Sequence, residues 1–251
     1  MIAGYFSGDM MEKTDENQMD VSIILPAYNE AARIEQTVVE IIEALREISL
    51  HYEIIIAEDG STDGTDKIAS QLSAKYPFII HIHNDKRLGK GRALAQASKK
   101  SRGGIIVYMD VDLATNLKHL KDLIQIIREG YDFATGSRYL PDSKIERSLL
   151  RLMASKIYNS IIRLLFRTGI KDHQCGFKAF DRTSLLKIIN QVKAEHWFWD
   201  TEVLVRASRR GFKIKEVPIE WKERKTTKVR LLNDSITMFV QALRLWLELM
   251  K

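Results

Sequence analysis

A doubly wound, mostly parallel α/β sheet is the fold class the sequence predicts, on three observations. Short β-favouring apolar runs alternate with segments whose apolar residues recur at helical spacing. Several runs stop at clusters of Asp, Glu, Gly, Ser and Thr, the composition of turns at strand ends. One run, Ile105-Ile106-Val107-Tyr108-Met109, starts after Gly103-Gly104 and passes directly into Asp110-Val111-Asp112.

The elements follow in order. Residues 1–20 read as a polar leader, without the long apolar core of a signal peptide. Val21 to Leu25 is a first strand, ended by Pro26-Ala27-Tyr28-Asn29-Glu30 because proline cannot serve a central ladder. A helix follows from about Glu30 to Leu50, with Ile34, Val38, Ile41, Ile42 and Leu45 in register. Tyr52 to Ala57 is a second strand, and Glu58-Asp59-Gly60-Ser61-Thr62-Asp63-Gly64-Thr65 is a turn in which Asp63 or Thr65 caps the next helix. Phe78 to His83 is a third strand, and Lys86 to Gly91 leads into an Ala-rich helix from Arg92 to Lys100. The strand ending at Asp110 and Asp112 comes next, then a helix from about Leu117 to Arg128 and a strand from Tyr131 to Gly136.

Residues 148–167 interleave Leu149, Leu150, Met153, Ile157 and Leu164 with Arg151, Lys156 and Arg163. This basic amphipathic pattern fits a helix lying on a membrane surface or one packed on the domain core. Its charges recur too often for a membrane span. Ile170 to Phe180 is a polar turn entering a short strand, and Asp181 to Gln191 is a helix. His196 to Glu202 sets aromatic residues beside Asp200 and Glu202, before a helix ending near Arg210. Lys213 to Trp221 is a final strand. A basic loop from Lys222 to Arg230 and a second amphipathic helix over 233–250 close the chain, so residues 21–232 form one α/β domain with a C-terminal helix at 233–251.

The 251 residues, 45% hydrophobic and 29% charged, suffice for one such domain. Cys175 is the single cysteine, which excludes an intrachain disulfide and agrees with a reducing compartment. The net charge of +6 hides an asymmetry: residues 1–125 carry 14 Lys+Arg against 19 Asp+Glu, residues 126–251 carry 25 against 14. A basic second half suits an anionic partner, whether nucleic acid, anionic lipid or a phosphorylated substrate, or reflects scattered solubilising lysines.

Alternate residues of an extended chain point to one side, so Asp110 and Asp112 converge at the strand's carboxyl end, where open α/β sheets bind ligands. Paired carboxylates repel, and a divalent cation with a substrate diphosphate removes the repulsion. The competing reading is a surface turn with solvated aspartates. Gly89-Lys90-Gly91 lacks the spaced glycine and the Ser/Thr of a Walker loop, and no Gly-x-Gly-x-x-Gly follows the first strand. A glycine cradle for phosphates is therefore excluded, which favours the metal. A nucleotidyltransferase ranks low for want of a glycine-rich activating loop.

Pro-Ala-Tyr-Asn-Glu at 26–30, Glu-Asp-Gly-Ser-Thr-Asp-Gly-Thr at 58–65, Gly-Lys-Gly at 89–91, Asp-Val-Asp at 110–112 and Gly-Ser-Arg at 136–138 together resemble glycosyltransferase family 2, over residues 20 to 230. Asp-His-Gln-Cys-Gly-Phe-Lys-Ala-Phe at 172–180 is similar to the polyprenyl-phosphate branch, dolichyl-phosphate glucosyltransferases more than mannose synthases. Glu58 stands where many members have Asp, and Thr226-Thr227-Lys228 lacks the Gly and Ser of a frequent Gly-x-Ser-Lys stretch.

The resemblance implies a GT-A fold and a metal-dependent inverting hexosyl transfer from a nucleotide-sugar. UDP-glucose is favoured, with GDP-mannose and UDP-N-acetylglucosamine open; the acceptor is dolichyl or polyprenyl phosphate. Pro26, Tyr28, Glu30, Asp59 and Lys90 would meet the nucleotide, with Asp59 at the base edge. Asp110 and Asp112 would hold Mg²⁺ or Mn²⁺ on the diphosphate. Arg138, Arg151, Ser155, Lys178 and Lys228 would bind the acceptor phosphate, Arg151 and Ser155 sharing a helix face at i and i+4. Asp112, Arg138 and Lys178 are the residues expected to matter for catalysis.

Two alternatives accompany this reading. One is a family 2 transferase elongating a glycan hydroxyl with Asp200 or Glu202 as base. The other is a membrane-peripheral protein that binds a nucleotide-sugar without turnover. The amphipathic helices imply peripheral attachment at the cytosolic face, with no nucleic-acid partner. One interfacial helix binds weakly, so attachment takes both helices, a homodimer or a membrane-anchored partner.

Overall fold

A computed structural model describes residues 19–48, 50–223 and 231–250. Most of the leader, together with Lys225, Lys228 and Arg230 of the basic loop, lies outside these residues.

Seven strands form the central sheet in the order β3-β2-β1-β4-β7-β5-β8. They are β1 (Val21–Ala27), β2 (Tyr52–Glu58), β3 (Ile79–Ile82), β4 (Ile105–Met109), β5 (Phe133–Ser137), β7 (Phe177–Asp181) and β8 (Ile214–Pro218). All neighbours run parallel except β7, which is antiparallel to both β4 and β5. The mostly parallel α/β sheet read from the alternation is therefore the observed fold. Two short strands, β6 (Lys144–Glu146) and β9 (Glu220–Lys222), make a separate parallel pair.

Helices cover both faces, as a sheet of doubly buried strands requires. One face packs α1 (Ile34–Arg46), α2 (Thr65–Lys75) and α4 (Leu120–Arg128). The other packs α3 (Lys90–Lys100), α5 (Leu149–Phe166), α6 (Arg182–Ile189), α7 (Trp199–Arg209) and α8 (Leu231–Leu249). Period-two alternation assigns strand residues to these layers. Val107 and Met109 face the first, Ile106 and Tyr108 the second.

Several boundaries differ from the sequence expectation, each for a local reason. The first helix begins at Ile34 instead of Glu30. The N–H groups of Glu30 and Ala31 are spent on Thr65 Oγ1 (2.8 Å) and Asp63 Oδ2 (3.0 Å), which tie the end of β1 to the start of α2. Asp63 and Thr65 thus bridge two loops as well as closing their own turn. Pro26 stays inside β1, opposite Ala57, but pairing with β4 stops at Ile24↔Tyr108, so the proline has an edge-like position. Lys213 to Trp221 is not one strand: β8 ends at Pro218 and the chain crosses into the small sheet as β9. The helix expected from Leu117 opens as a 3-10 turn, Leu117–His119, capped by Asn116 accepting from the Lys118 N–H. Asp181 caps α6 from outside by accepting from the Ser184 N–H.

Residues 148–167 form a helix that packs one face on the domain core and leaves apolar residues of another face open. Ser155, Asn159, Ile162 and Phe166 of α5 are buried, while Leu149 (76% exposed), Leu150 (69%) and Leu164 (83%) are open. The C-terminal helix begins at 231 and behaves likewise, burying Met238, Ala242 and Leu245 and exposing Ile236, Phe239 and Leu247. No described helix is long and apolar enough to cross a membrane.

Tyr108, Phe133, Phe180 and Trp199 form an aromatic cluster across β4, β5, β7 and α7, with Phe180 touching the other three. Phe180→Ala should lower unfolding free energy by about 3–5 kcal/mol, measured as a lower urea midpoint with an unchanged m-value.

Candidate functional site

The carboxyl ends of β1, β2 and β4 open into one cleft, roofed by α5 and the 196–200 segment. Pro26, Tyr28 and Glu30 line it from the end of β1, Asp59 from β2, Lys90 from α3, and Asp110 and Asp112 from the turn after β4. Arg138, Arg151 and Ser155 line its other half. Ten of the residues singled out from sequence thus share one cavity. Lys178 does not line it, and Lys228 lies outside the described residues.

Asp110 and Asp112 converge, but not as an extended strand. β4 ends at Met109, and a tight turn with Leu113 at φ 45° carries the two acids. Asp112 Oδ1 accepts from the Ala114 N–H (3.1 Å), and the Asp110 N–H donates to the Gly176 carbonyl (3.1 Å). Lys90 Nζ lies 2.7 Å from Asp110 and 3.8 Å from Asp200. Burial pushes the Asp110 carboxyl up, the Lys90 ammonium pulls against it, and Asp112 adds like-charge repulsion; the net is above the usual carboxylate range. Burial alone would pull Lys90 down, but Asp110 and Asp200 hold its ammonium above the ordinary lysine range.

Lys178 is fully buried and donates to Asp200 Oδ1 (2.8 Å) and to the Cys175 carbonyl. Tyr108 donates its hydroxyl to the same Asp200 oxygen. Burial, followed by Asp200, raises the Tyr108 phenol well above its usual value, so it stays protonated. Lys178 therefore reaches the cleft only through Asp200, and its direct contact with an acceptor phosphate does not fit this geometry. Glu202 does not line the cleft either: it accepts from the Lys193 and Ala194 N–H groups and from Arg206.

Arg138 is also committed. Its Nε and Nη2 reach both Asp172 oxygens (2.7 and 2.8 Å), and Asp172 takes the Arg138 N–H as well. Burial works against the Asp172 charge, but Arg138 outweighs it and holds the carboxyl below its usual range. Asp59 is similarly engaged, its two oxygens accepting from the Leu88 and Gly89 N–H groups (2.7 and 2.8 Å). Each Asp59 oxygen keeps a second lone pair. Arg151 pairs with Glu223 (3.1 Å), and Ser155 bonds to Tyr139 and Arg147.

Sequence reasoning missed three arginines that line this cleft: Arg33, Arg87 and Arg147. Arg147, just before α5, donates Nη1 to Ser155 (3.0 Å), while its buried Nε has no protein partner. Burial and the neighbouring Arg138 lower its pKa, which leaves a partly desolvated cation facing the cavity. Arg87 stacks on the Tyr28 ring, 4.0 Å from its centroid. None carries a motif; an Arg one to three residues before a helix start reads as ordinary surface charge.

The Glycosyl transferase family 2 model matches residues 22–189. The chain belongs to this family. The Haloferax volcanii glycosyltransferase AglD is 46% identical over 234 residues, 92% of this chain but 38% of that protein, so the chain spans about two fifths of this relative's length. A dolichyl-phosphate beta-glucosyltransferase of Saccharomyces cerevisiae is 31% identical over 250 residues, covering 92% of this chain and 75% of that one. Among solved structures, glucosyl-3-phosphoglycerate synthase from Mycobacterium tuberculosis, bound to Mn²⁺, UDP and glucosyl-3-phosphoglycerate, superposes with a TM-score of 0.67 at 20% identity, covering 91% of this chain and 80% of that one. At that identity the likeness shows the GT-A fold.

Within this family 2 domain the donor set at Asp110 and Asp112 suits a hard divalent cation. The two groups are oxygen ligands, their mutual repulsion is relieved by a cation, and they face an open cleft. Close packing holds them there: a Cβ at Gly176 would meet the Asp110 carboxylate. Gly176→Ala should weaken Mn²⁺ binding roughly 10–100-fold, by calorimetric titration, with little change in melting temperature.

Proposed function

We propose that this family 2 enzyme transfers a hexosyl group from a nucleotide-sugar, UDP-glucose first, to dolichyl or polyprenyl phosphate with inversion. The relatives named dolichyl-phosphate beta-glucosyltransferase support both donor sugar and acceptor. The observation that carries the acceptor class is Arg147: a partly buried guanidinium with an unpartnered Nε, beside Arg138 and Ser155, at the base of an apolar helix face. A phosphate monoester on a lipid tail matches that combination, its anion at Arg147 and its chain along α5.

A phosphate oxygen attacks the anomeric carbon as the bond from that carbon to the diphosphate oxygen breaks, and the electron pair leaves with the nucleoside diphosphate. The acceptor is already anionic near neutral pH, so no strong base is needed. Lys90 faces the side on which negative charge develops. A Mg²⁺ or Mn²⁺ held by Asp110 and Asp112 would supply further charge neutralisation to the leaving diphosphate.

The deciding experiment is transfer from radiolabelled UDP-glucose, GDP-mannose and UDP-N-acetylglucosamine to dolichyl phosphate, with Mn²⁺ or Mg²⁺ and with chelator. Glucose label in the lipid phase that is chelator-sensitive and absent in Asp112→Ala is expected. No lipid label from any donor with a folded protein would refute the reading. Arg147→Ala should raise the KM for the lipid phosphate about 10–100-fold, the loss of a charge-assisted hydrogen bond, while UDP binding stays within twofold.

Attachment is read as peripheral and cytosol-facing, through α5 and α8 acting together. The two helices pack against one another and each leaves an apolar face open. That favours the two helices together over a homodimer or a membrane-anchored partner. Leu149→Glu with Leu164→Glu should remove most flotation with anionic vesicles while leaving UDP binding intact; unchanged flotation would exclude α5 as the anchor.

A further inference from the structure

We propose that Glu58, His81 and His83 form a second cation site, for a divalent transition metal of the zinc class, separate from Asp110 and Asp112. The strand register assembles it. His81 on β3 lies opposite Ile56 on β2 and Ile82 opposite Ala57, so one further step sets His83 beside Glu58. Residues two apart on a strand share a face, which brings His81 to the same side. One ligand atom from each of the three lies within 4.8 Å of the others.

Two details point to a cation more than to a simple ion pair. His83 turns Nδ1 toward Glu58 (2.5 Å) and Nε2 toward the Asp85 carboxylate (3.4 Å), the carboxylate–histidine arrangement that orients metal-ligating imidazoles. His81 has a buried Nε2 with no partner. Buried ring nitrogens are almost always paired, and a Glu58–His83 ion pair leaves this one unexplained.

The donor set selects the class of metal. Two imidazoles and one carboxylate are the ligands of open zinc sites, whereas Mg²⁺ prefers oxygen alone. In the order β3-β2-β1-β4, the end of β2 lies two strand spacings from the end of β4, roughly 10 Å. The two sites therefore hold separate ions.

The place of the cluster gives it a role. The Glu58 carboxylate also accepts from the Ser61 N–H, its carbonyl accepts from Asn84, and the adjacent Asp59 holds the N–H groups of Leu88 and Gly89. A cation here clamps β2 to β3 and stiffens the 84–89 loop, the wall of the cleft that presents Arg87 to Tyr28. This inference does not depend on the transfer reaction.

The test uses the full chain, stripped with chelator and titrated with Zn²⁺ alone, then with Co²⁺ as an absorbing probe of imidazole ligation. One equivalent of Zn²⁺ should bind and persist in Asp110→Asn with Asp112→Asn. Affinity should fall at least tenfold in His83→Ala, an exposed position where the fold tolerates change, and in His81→Gln, with Mn²⁺ affinity unaltered in both. Absence of Zn²⁺ binding to the wild-type chain would overturn the proposal. So would binding that survives both histidine substitutions, or binding that disappears with the two aspartates.

Discussion

The carboxylate of Asp200 is the contact on which the rest of the site depends. It accepts from Lys178 and Tyr108 on one oxygen and faces Lys90 with the other, and Lys90 bridges onward to Asp110. Buried charges are costly unless paired, and breaking one pair strands its partner. The network therefore imposes demands on distant parts of the chain. An antiparallel β7 sits in a parallel sheet, and its register sets Lys178 opposite Tyr108 on β4. The start of α3 must approach the 194–196 segment closely enough for the Gly91 N–H to reach the Glu195 carbonyl (2.7 Å). Side chains at Gly89 and Gly91 would collide there, and Gly89 adopts φ +103°. The Gly-Lys-Gly motif thus owes its glycines to packing and its lysine to the aspartates.

Much of the architecture was legible because doubly buried parallel strands announce themselves as apolar runs ending in polar turns. Asp110 and Asp112 were readable as a converging pair, although a turn and not strand pleating brings them together. What escaped sequence reasoning was long-range commitment. Nothing local shows that Arg138 is consumed by Asp172, 34 residues away, or that Lys178 points inward at Asp200. Arg147 carries no motif, and only the fold reveals that its Nε is enclosed. His81 and His83 had no motif at all; they meet Glu58 through strand register, which a single sequence does not display.

Two of the helices on the second face of the sheet, α5 and α8, have tasks that compete. Each must bury enough apolar surface to hold α5 and α8 on the domain, and each keeps a further apolar stripe exposed. Exposed leucines in such a stripe cost solubility and are tolerated when they meet a lipid phase. Arg147, Arg151 and Ser155 stand at the amino-terminal end of α5, beside the exposed Leu149 and Leu150, so cationic and apolar groups adjoin. An amphiphile with an anionic head satisfies both at once, and a water-soluble sugar acceptor satisfies neither.

The same network separates the two enzymatic readings. Transfer to a sugar hydroxyl needs a group able to take a proton as the bond forms. Glu202 is turned away from the cleft, fixed by two backbone N–H groups and Arg206. Asp200 does border the cleft, but one oxygen already accepts from an ammonium and a phenol and the other faces a second ammonium. Both Asp200 oxygens are thus turned to protein donors and not to an acceptor hydroxyl. Its geometry is that of a positioning residue that fixes Lys90 and keeps Lys178 soluble in the core. An acceptor that arrives already ionised needs nothing more from it.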